Sequence, residues 1–217
     1  MLFLFNENKG NELTAFYRAA SLSNIYRFIT QYHMTEGNLE IEERNQVAFF
    51  PGTFDPFTLS HKEIVREIRD LGYEVFLAVD EFSWSKKAQP HLIRRQIVSM
   101  SVADEFHVNL FPDDIPVNIA NPADLKRLRE VFSGKELFIV VGSDVIANAS
   151  SYKKKPVKNS IHSMNHIAFR RVGDVKADNK YNRQMMDQIS GKVVELELPE
   201  HLEDISSTRI RENVDLN

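Results

Sequence analysis

The chain has 217 residues, 42% of them hydrophobic and 27% charged, enough for one good α/β domain plus an appendage in a soluble globular protein. Its 27 Lys and Arg against 31 Asp and Glu leave a net charge of −4, which argues against a broad basic surface and so against a nucleic-acid partner. The absence of cysteine excludes disulfides, thiolate metal sites and a cysteine nucleophile, and fits a cytoplasmic location.

The opening run Met1 to Phe5 is apolar but five residues long and without a basic leader. It is too short for a signal peptide or a membrane span, so no membrane partner is expected. Leu13, Phe16, Tyr17, Ala20, Ile25, Phe28 and Ile29 then recur at helical spacing, and a polar stretch runs from Thr35 to Arg44. Residues 1–44 therefore read as a helical appendage, either a hairpin packed on the main domain or a joint through which further domains are fused. Residues 45–217 read as the main domain.

From Val47 onward strands alternate with helix-length patterns. Strands are expected at Val47–Phe50, Glu74–Val79, Phe106–Val108, Leu137–Val141, Ile167–Phe169 and Val193–Leu198. Helices are expected at Leu59–Leu71, Leu92–Val102 and Ala123–Phe132, with a helical stretch around Tyr181–Ile189. This alternation implies right-handed βαβ crossovers and a Rossmann-like doubly wound, mostly parallel sheet with flanking helices. Ligands of such sheets lie beyond the carboxyl ends of the strands, at the topological switch point.

The segment after the first strand, Phe50-Pro-Gly-Thr-Phe-Asp-Pro-Phe-Thr-Leu-Ser-His61, falls at that place. It is read as a tight Pro51-Gly52 turn, a second turn at Asp55-Pro56, and a helix opening near Leu59. Gly52 gives room for a bulky anion to approach the backbone. Thr58 and His61, three residues apart, can point the same way from the first helical turn. A helix N-terminus, free amides and an imidazole donor suit a phosphate chain. The eight glycines form neither Gly-x-Gly-x-x-Gly nor a P-loop, so a dinucleotide dehydrogenase and a P-loop ATPase are disfavoured.

Near the other end, Asp204-Ile-Ser-Ser-Thr-Arg-Ile-Arg211 sets a run of hydroxyls and an N-cap before a short basic helix. Its amides, its hydroxyls and Arg211 together suit a triphosphate; the plainer reading is a capped C-terminal helix without a ligand.

Both segments resemble the nucleotidylyltransferase superfamily. Gly52, Phe54, Pro56, Thr58 and His61 match its Gly-x-Phe-x-Pro-(His/Thr)-x-x-His loop, and Ile205, Ser206, Ser207, Thr208, Ile210 and Arg211 match its Ile-Ser-Ser-Thr-x-Ile-Arg motif. Many members carry Gly just before the second His, where this chain has Ser60, a change that narrows the room there. Gly142 and Asp144 resemble the Gly-x-Asp of mononucleotide adenylyltransferases, in which the Asp helps hold the nucleotide. The plain alternative is a strand-to-helix turn capped by Ser143 or Asp144. Ser85-Lys86-Lys87 resembles the Ser-Lys-Lys of phosphopantetheine adenylyltransferase, in which a lysine reaches the phosphates; Trp84 beside it can stack on a ring. Arg94 and Arg95 open the next helix, where they can face the same cleft.

The resemblance implies transfer of an adenylyl group from ATP to a small phosphorylated acceptor, with nicotinate or nicotinamide mononucleotide leading, and release of pyrophosphate. It assigns catalysis to His61, Thr58 and Lys86. Nucleotide binding falls to Gly52, Phe54, Gly142, Asp144, Ser206, Ser207, Thr208 and Arg211, and acceptor binding to Thr53, Trp84 and Lys87. Mg²⁺ is expected to arrive on the nucleotide phosphates, with no protein metal site, since the histidines show no ligand spacing. A phosphopantetheine- or cytidylyl-type transferase stays open, as does a nucleotide-binding regulatory domain without turnover.

Overall fold

The computed structural model describes residues 44–80, 88–115, 117–170 and 186–199, together with 184, 202, 205, 207, 210, 211 and 213. In chain order these form β1 (Gln46–Gly52), α1 (Leu59–Asp70), β2 (Tyr73–Val79), α2 (His91–Ser101), β3 (Val108–Leu110), α3 (Pro122–Val131) and β4 (Glu136–Gly142). They continue through α4 (Ser143–Asn148), α5 (Ser150–Lys153), a 3₁₀ turn (Ile161–Ser163), β5 (Asn165–Arg170) and β6 (Val193–Glu197). The six strands form one sheet in the order β3-β2-β1-β4-β5-β6, and every neighbouring pair is parallel. This is a Rossmann-like order, with the direction of winding reversing between β1 and β4.

The period-2 alternation of the central strands builds two cores, one on each face of the sheet. Val47, Phe49, Leu137, Ile139 and Val141 pack with Leu125, Leu128 and Phe132 on one side. Ala48, Phe50, Phe138 and Val140 pack with Ile64, Val65 and Ile68 of α1 on the other. α1 starts at Thr58 as N-cap and ends at Leu71, followed by Gly72 at φ 94°. Such a left-handed residue is the usual helix stop, and glycine adopts it without strain. Arg44 ties the entry of β1 to this stop, donating to the carbonyls of Arg69 at 2.7 Å and Tyr73 at 2.8 Å.

Three expectations need revision. Pro51 and Gly52 do not turn but extend β1, paired with Ala78 and Val79 of β2. Proline is tolerated there because pairing with β4 has already ended at Phe49–Ile139, so no partner is waiting for the missing N–H. The third strand begins at Val108, since Phe106 and His107 form a turn with His107 at φ 57°. A helix does follow the turn after Gly142, but Gly142 itself is its N-cap, with Ser143 and Asp144 inside α4 and no side-chain cap; α5 and the 3₁₀ turn were not foreseen, being too brief to display a period. The appendage over 1–43 and most of the Tyr181–Ile189 stretch lie outside the described residues.

Candidate active site

β1 stays paired with β2 as far as Gly52 but leaves β4 after Phe49. The two strands thus part at their carboxyl ends, as expected of a switch-point crevice. One wall is the Thr53–Thr58 loop with the first turn of α1; the other is Gly142 with α4.

Thr58 and His61 close a capping box at the head of α1. The Thr58 backbone N–H donates to His61 Nδ1 at 3.0 Å, and Thr58 Oγ1 lies 2.8 Å from the same nitrogen. An Nδ1 that accepts cannot hold a proton, so the ring carries its hydrogen on Nε2. The imidazole stacks on Phe57 at 5.4 Å and 27°, and meets Phe54 edge-on at 5.3 Å. Ring position and tautomer are therefore both set by neighbours. Gly52 has a concrete reason here: a Cβ would lie 2.8 Å from the Phe54 ring, so the close approach it permits is that of the aromatic supporting His61.

The C-terminal motif, distant in sequence, reaches this loop. Ser207 Oγ donates to the Pro56 carbonyl at 2.8 Å. Arg211 Nη1 donates to the Asp55 carbonyl and stands 3.9 Å from the Asp55 carboxylate. The hydroxyl hydrogen of Ser207 thus points at the loop, and both side chains brace the turn that precedes Thr58. Ser60 is buried and sits 2.8 Å from the Leu202 carbonyl and 2.7 Å from that of Ile205.

On the opposite wall, a side chain at Gly142 would collide with Asp144 Oδ1 and reach 3.3 Å from the Phe169 ring. Phe169 in turn meets Phe50 at 5.8 Å, and Phe50 faces His61 at 6.3 Å. A chain of ring contacts therefore links the β4 and β5 ends to His61. Asp144 sits in the first turn of α4 and is exposed.

Several residues that shape the site carried no motif signal. Asp55, almost fully buried, accepts from the Gln89 N–H at 3.2 Å. Arg94 is 2% exposed and does not face the cleft. It donates to the carbonyls of Gln89 at 2.8 Å, Thr53 at 2.5 Å and Asp80 at 2.9 Å. Its neighbour Arg95 binds the Phe111 carbonyl at 2.9 Å and Asp113 at 2.7 Å. Asp80, just past β2, is half-buried, and desolvation pushes its carboxyl above the ordinary range although Arg94 and His91 pull the other way.

Thr53 enters the network through its carbonyl. Trp84, Lys86, Lys87, Ser206 and Thr208 lie outside the described residues. Among the described residues no group of three or more His, Asp or Glu side chains gathers as a metal site, and no helix is long and apolar enough to cross a membrane.

Fold and crevice define a nucleotide-handling Rossmann-like domain. The cytidylyltransferase-like family matches residues 49–213. The chain belongs to this family, within the nucleotidylyltransferase superfamily, and is a nucleotidyltransferase domain. Among solved structures it is similar to Plasmodium falciparum nicotinic acid mononucleotide adenylyltransferase complexed with NaAD. Identity is 18% over 77% of this chain and 83% of that one, with a TM-score of 0.61. The same enzyme complexed with APC gives 17% identity over 77% and 83%, with a TM-score of 0.58. At such identity the likeness speaks for the fold. No curated protein sequence matches the chain.

Proposed function

We propose that this domain transfers the adenylyl group of ATP to a small phosphorylated acceptor, with nicotinate or nicotinamide mononucleotide leading, and releases pyrophosphate. The observation that carries the reading is the seating of Ser207 and Arg211 on the Asp55-Pro56 turn that leads into Thr58 and His61. Two segments some 150 residues apart are thus joined at one loop.

An acceptor phosphate is already ionised at neutral pH, so the reaction needs no strong base. Catalysis rests on holding the acceptor oxygen in line with the α-phosphorus and on neutralising charge as the β-phosphate leaves. In this reading His61 donates its Nε2 hydrogen to an α-phosphate oxygen. Thr58 sets that donor, and Phe54 holds the ring. Ser206, Ser207, Thr208 and Arg211 border the β- and γ-phosphates, Ser207 through the loop it braces. Asp144 takes the nucleoside side at the end of β4, Lys86 serves catalysis at the phosphates, and Thr53, Lys87 and Trp84 take the acceptor side. Mg²⁺, entering on the triphosphate, would supply further charge neutralisation at the phosphates.

A phosphopantetheine- or cytidylyl-type transferase uses the same parts, and the Pro51–Pro56 stretch with Thr58 favours it as the second reading. Pyrophosphate release with Mg²⁺, offering ATP or CTP against each acceptor, tests both. Turnover with ATP and a pyridine mononucleotide is expected. Turnover with another pair replaces the acceptor, and nucleotide binding without any turnover makes the domain a sensor.

A further inference from the structure

The outer face of α2 is apolar where a surface helix is ordinarily charged. Arg94, Val98 and Val102 face the sheet and are buried, and helical periodicity sets Leu92, Ile93, Gln96 and Met100 on the opposite side. Leu92 is 74% exposed, Met100 71% and Ile93 45%. Gln96, among them, is exposed as well. No charged residue stands on this face; Arg95 lies at its flank and is engaged with the Phe111 carbonyl and Asp113. α1 packs into the same core and behaves otherwise, turning Lys62, Glu63, Arg66 and Asp70 away from it. A contiguous apolar patch left outward on a folded domain marks a surface that something covers.

The chain preceding Arg44 joins the domain beside this helix. Arg44 donates to the Arg69 carbonyl at 2.7 Å, Arg69 pairs with the Glu105 carboxylate, and Glu105 closely follows Val102, the C-cap of α2. Lys62 of α1 binds Asp104 at 3.0 Å in the same place. We infer that the segment Leu13–Ile29 covers the outer face of α2, so that the N-terminal appendage belongs to this domain instead of serving as a joint to another. Reach allows it: α2 is about 16 Å long, and the polar stretch Thr35–Arg44 spans up to about 33 Å when extended. Pattern favours it, since Phe16, Tyr17 and Ala20, then Ile25, Phe28 and Ile29, recur at the spacing with which one helix lays an apolar stripe on another. The covalent tether favours it again, because it holds this segment near the face at high effective concentration. The inference is independent of the reaction proposed for the crevice; the helix so braced is the one that carries Arg94.

The chain has no cysteine, so a single introduced thiol takes a label cleanly. A nitroxide is attached to Gln96→Cys in the full chain, and amide signals are followed by nuclear magnetic resonance. The signals of Leu13–Ile29 are expected to lose intensity by paramagnetic broadening. They should recover it when Leu92→Glu and Met100→Glu are added on the face, and equally when Phe16→Ser and Phe28→Ser are made in the segment. The second pair lies outside the described domain, so it tests the contact even where the first pair disturbs folding. Segment signals at full intensity beside the nitroxide overturn the inference, as does broadening that survives Phe16→Ser and Phe28→Ser. Broadening that passes from a nitroxide-bearing molecule to a separate one in an equal mixture overturns it too, and gives the face to a second copy of the chain.

Discussion

Ser60 and Leu202 are 142 residues apart, yet the hydroxyl of one lies 2.8 Å from the carbonyl of the other. The same hydroxyl is 2.7 Å from the Ile205 carbonyl. One residue before His61, the head of α1 is therefore fastened to the chain that leads into Ser207 and Arg211.

Ser60→Gly should free that chain and leave the His61 capping box in place. The expected result is a several-fold rise in KM for the nucleoside triphosphate with kcat nearly unchanged, as for the loss of one buried hydrogen bond of about 1 kcal/mol. Steady-state kinetics decides it. A fall in kcat at unchanged KM would mean that the hydroxyl serves chemistry, not the placement of the second motif.

His61 is assigned the donor to the α-phosphate. His61→Ala should keep the fold, since the ring is half-exposed and Thr58 remains able to cap the helix through its hydroxyl. Turnover should drop by about 10²–10³, the usual effect of losing one preorganised donor. Wild-type turnover in a folded His61→Ala protein would remove the residue from the mechanism.

The strand and helix order was legible because Val47 to Phe50 and Leu137 to Val141 are apolar runs of strand length between helical periods. Both segments of the candidate site were legible as well, because hydroxyls, glycine and histidine at fixed spacing are local signals. What escaped was long-range or carried by the backbone. Nothing near Arg94 in the sequence announces that it will be buried, since its partners are peptide carbonyls that any residue supplies. Ser60 looked like a loss of room, and only its distant carbonyl partners give it a function. Gly52 looked like space for an anion, whereas the ring of Phe54 occupies the position.

Arg94 sews together the chain at Thr53, Asp80 and Gln89. Arg94→Met keeps much of the apolar stem but leaves the Gln89, Thr53 and Asp80 carbonyls without their donor. At about 1–3 kcal/mol for each buried acceptor left unsatisfied, discounted for partial solvation, the loss should be about 3 kcal/mol or more. Urea unfolding measures it. A change within about 0.5 kcal/mol, the range of ordinary surface substitutions, would show that these carbonyls find water equally well.

Stability should also depend on pH through a group remote from the crevice. His166 is fully buried beneath Tyr152, whose hydroxyl lies 3.0 Å from its Nε2, while its Nδ1 lies 2.9 Å from the Met164 carbonyl. The carbonyl can only accept, so Nδ1 carries the hydrogen and the tyrosine donates to Nε2. No site remains for a second proton. Burial, helped by His162 and opposed by the hydrogen bond to the Met164 carbonyl, accordingly pulls the imidazole from 6.5 down to about 4. Between these values the unfolded chain binds a proton that the folded chain refuses, so stability rises with pH. The contribution is complete above about pH 6.5 and is lost as pH falls toward 4; the full span is on the order of 3 kcal/mol. His166→Gln removes the titration. The stability difference between wild type and variant, measured by denaturant unfolding, should therefore move against the wild type as pH falls from 7 to 5. A difference that stays constant over that range would show that His166 accepts its proton in the folded state.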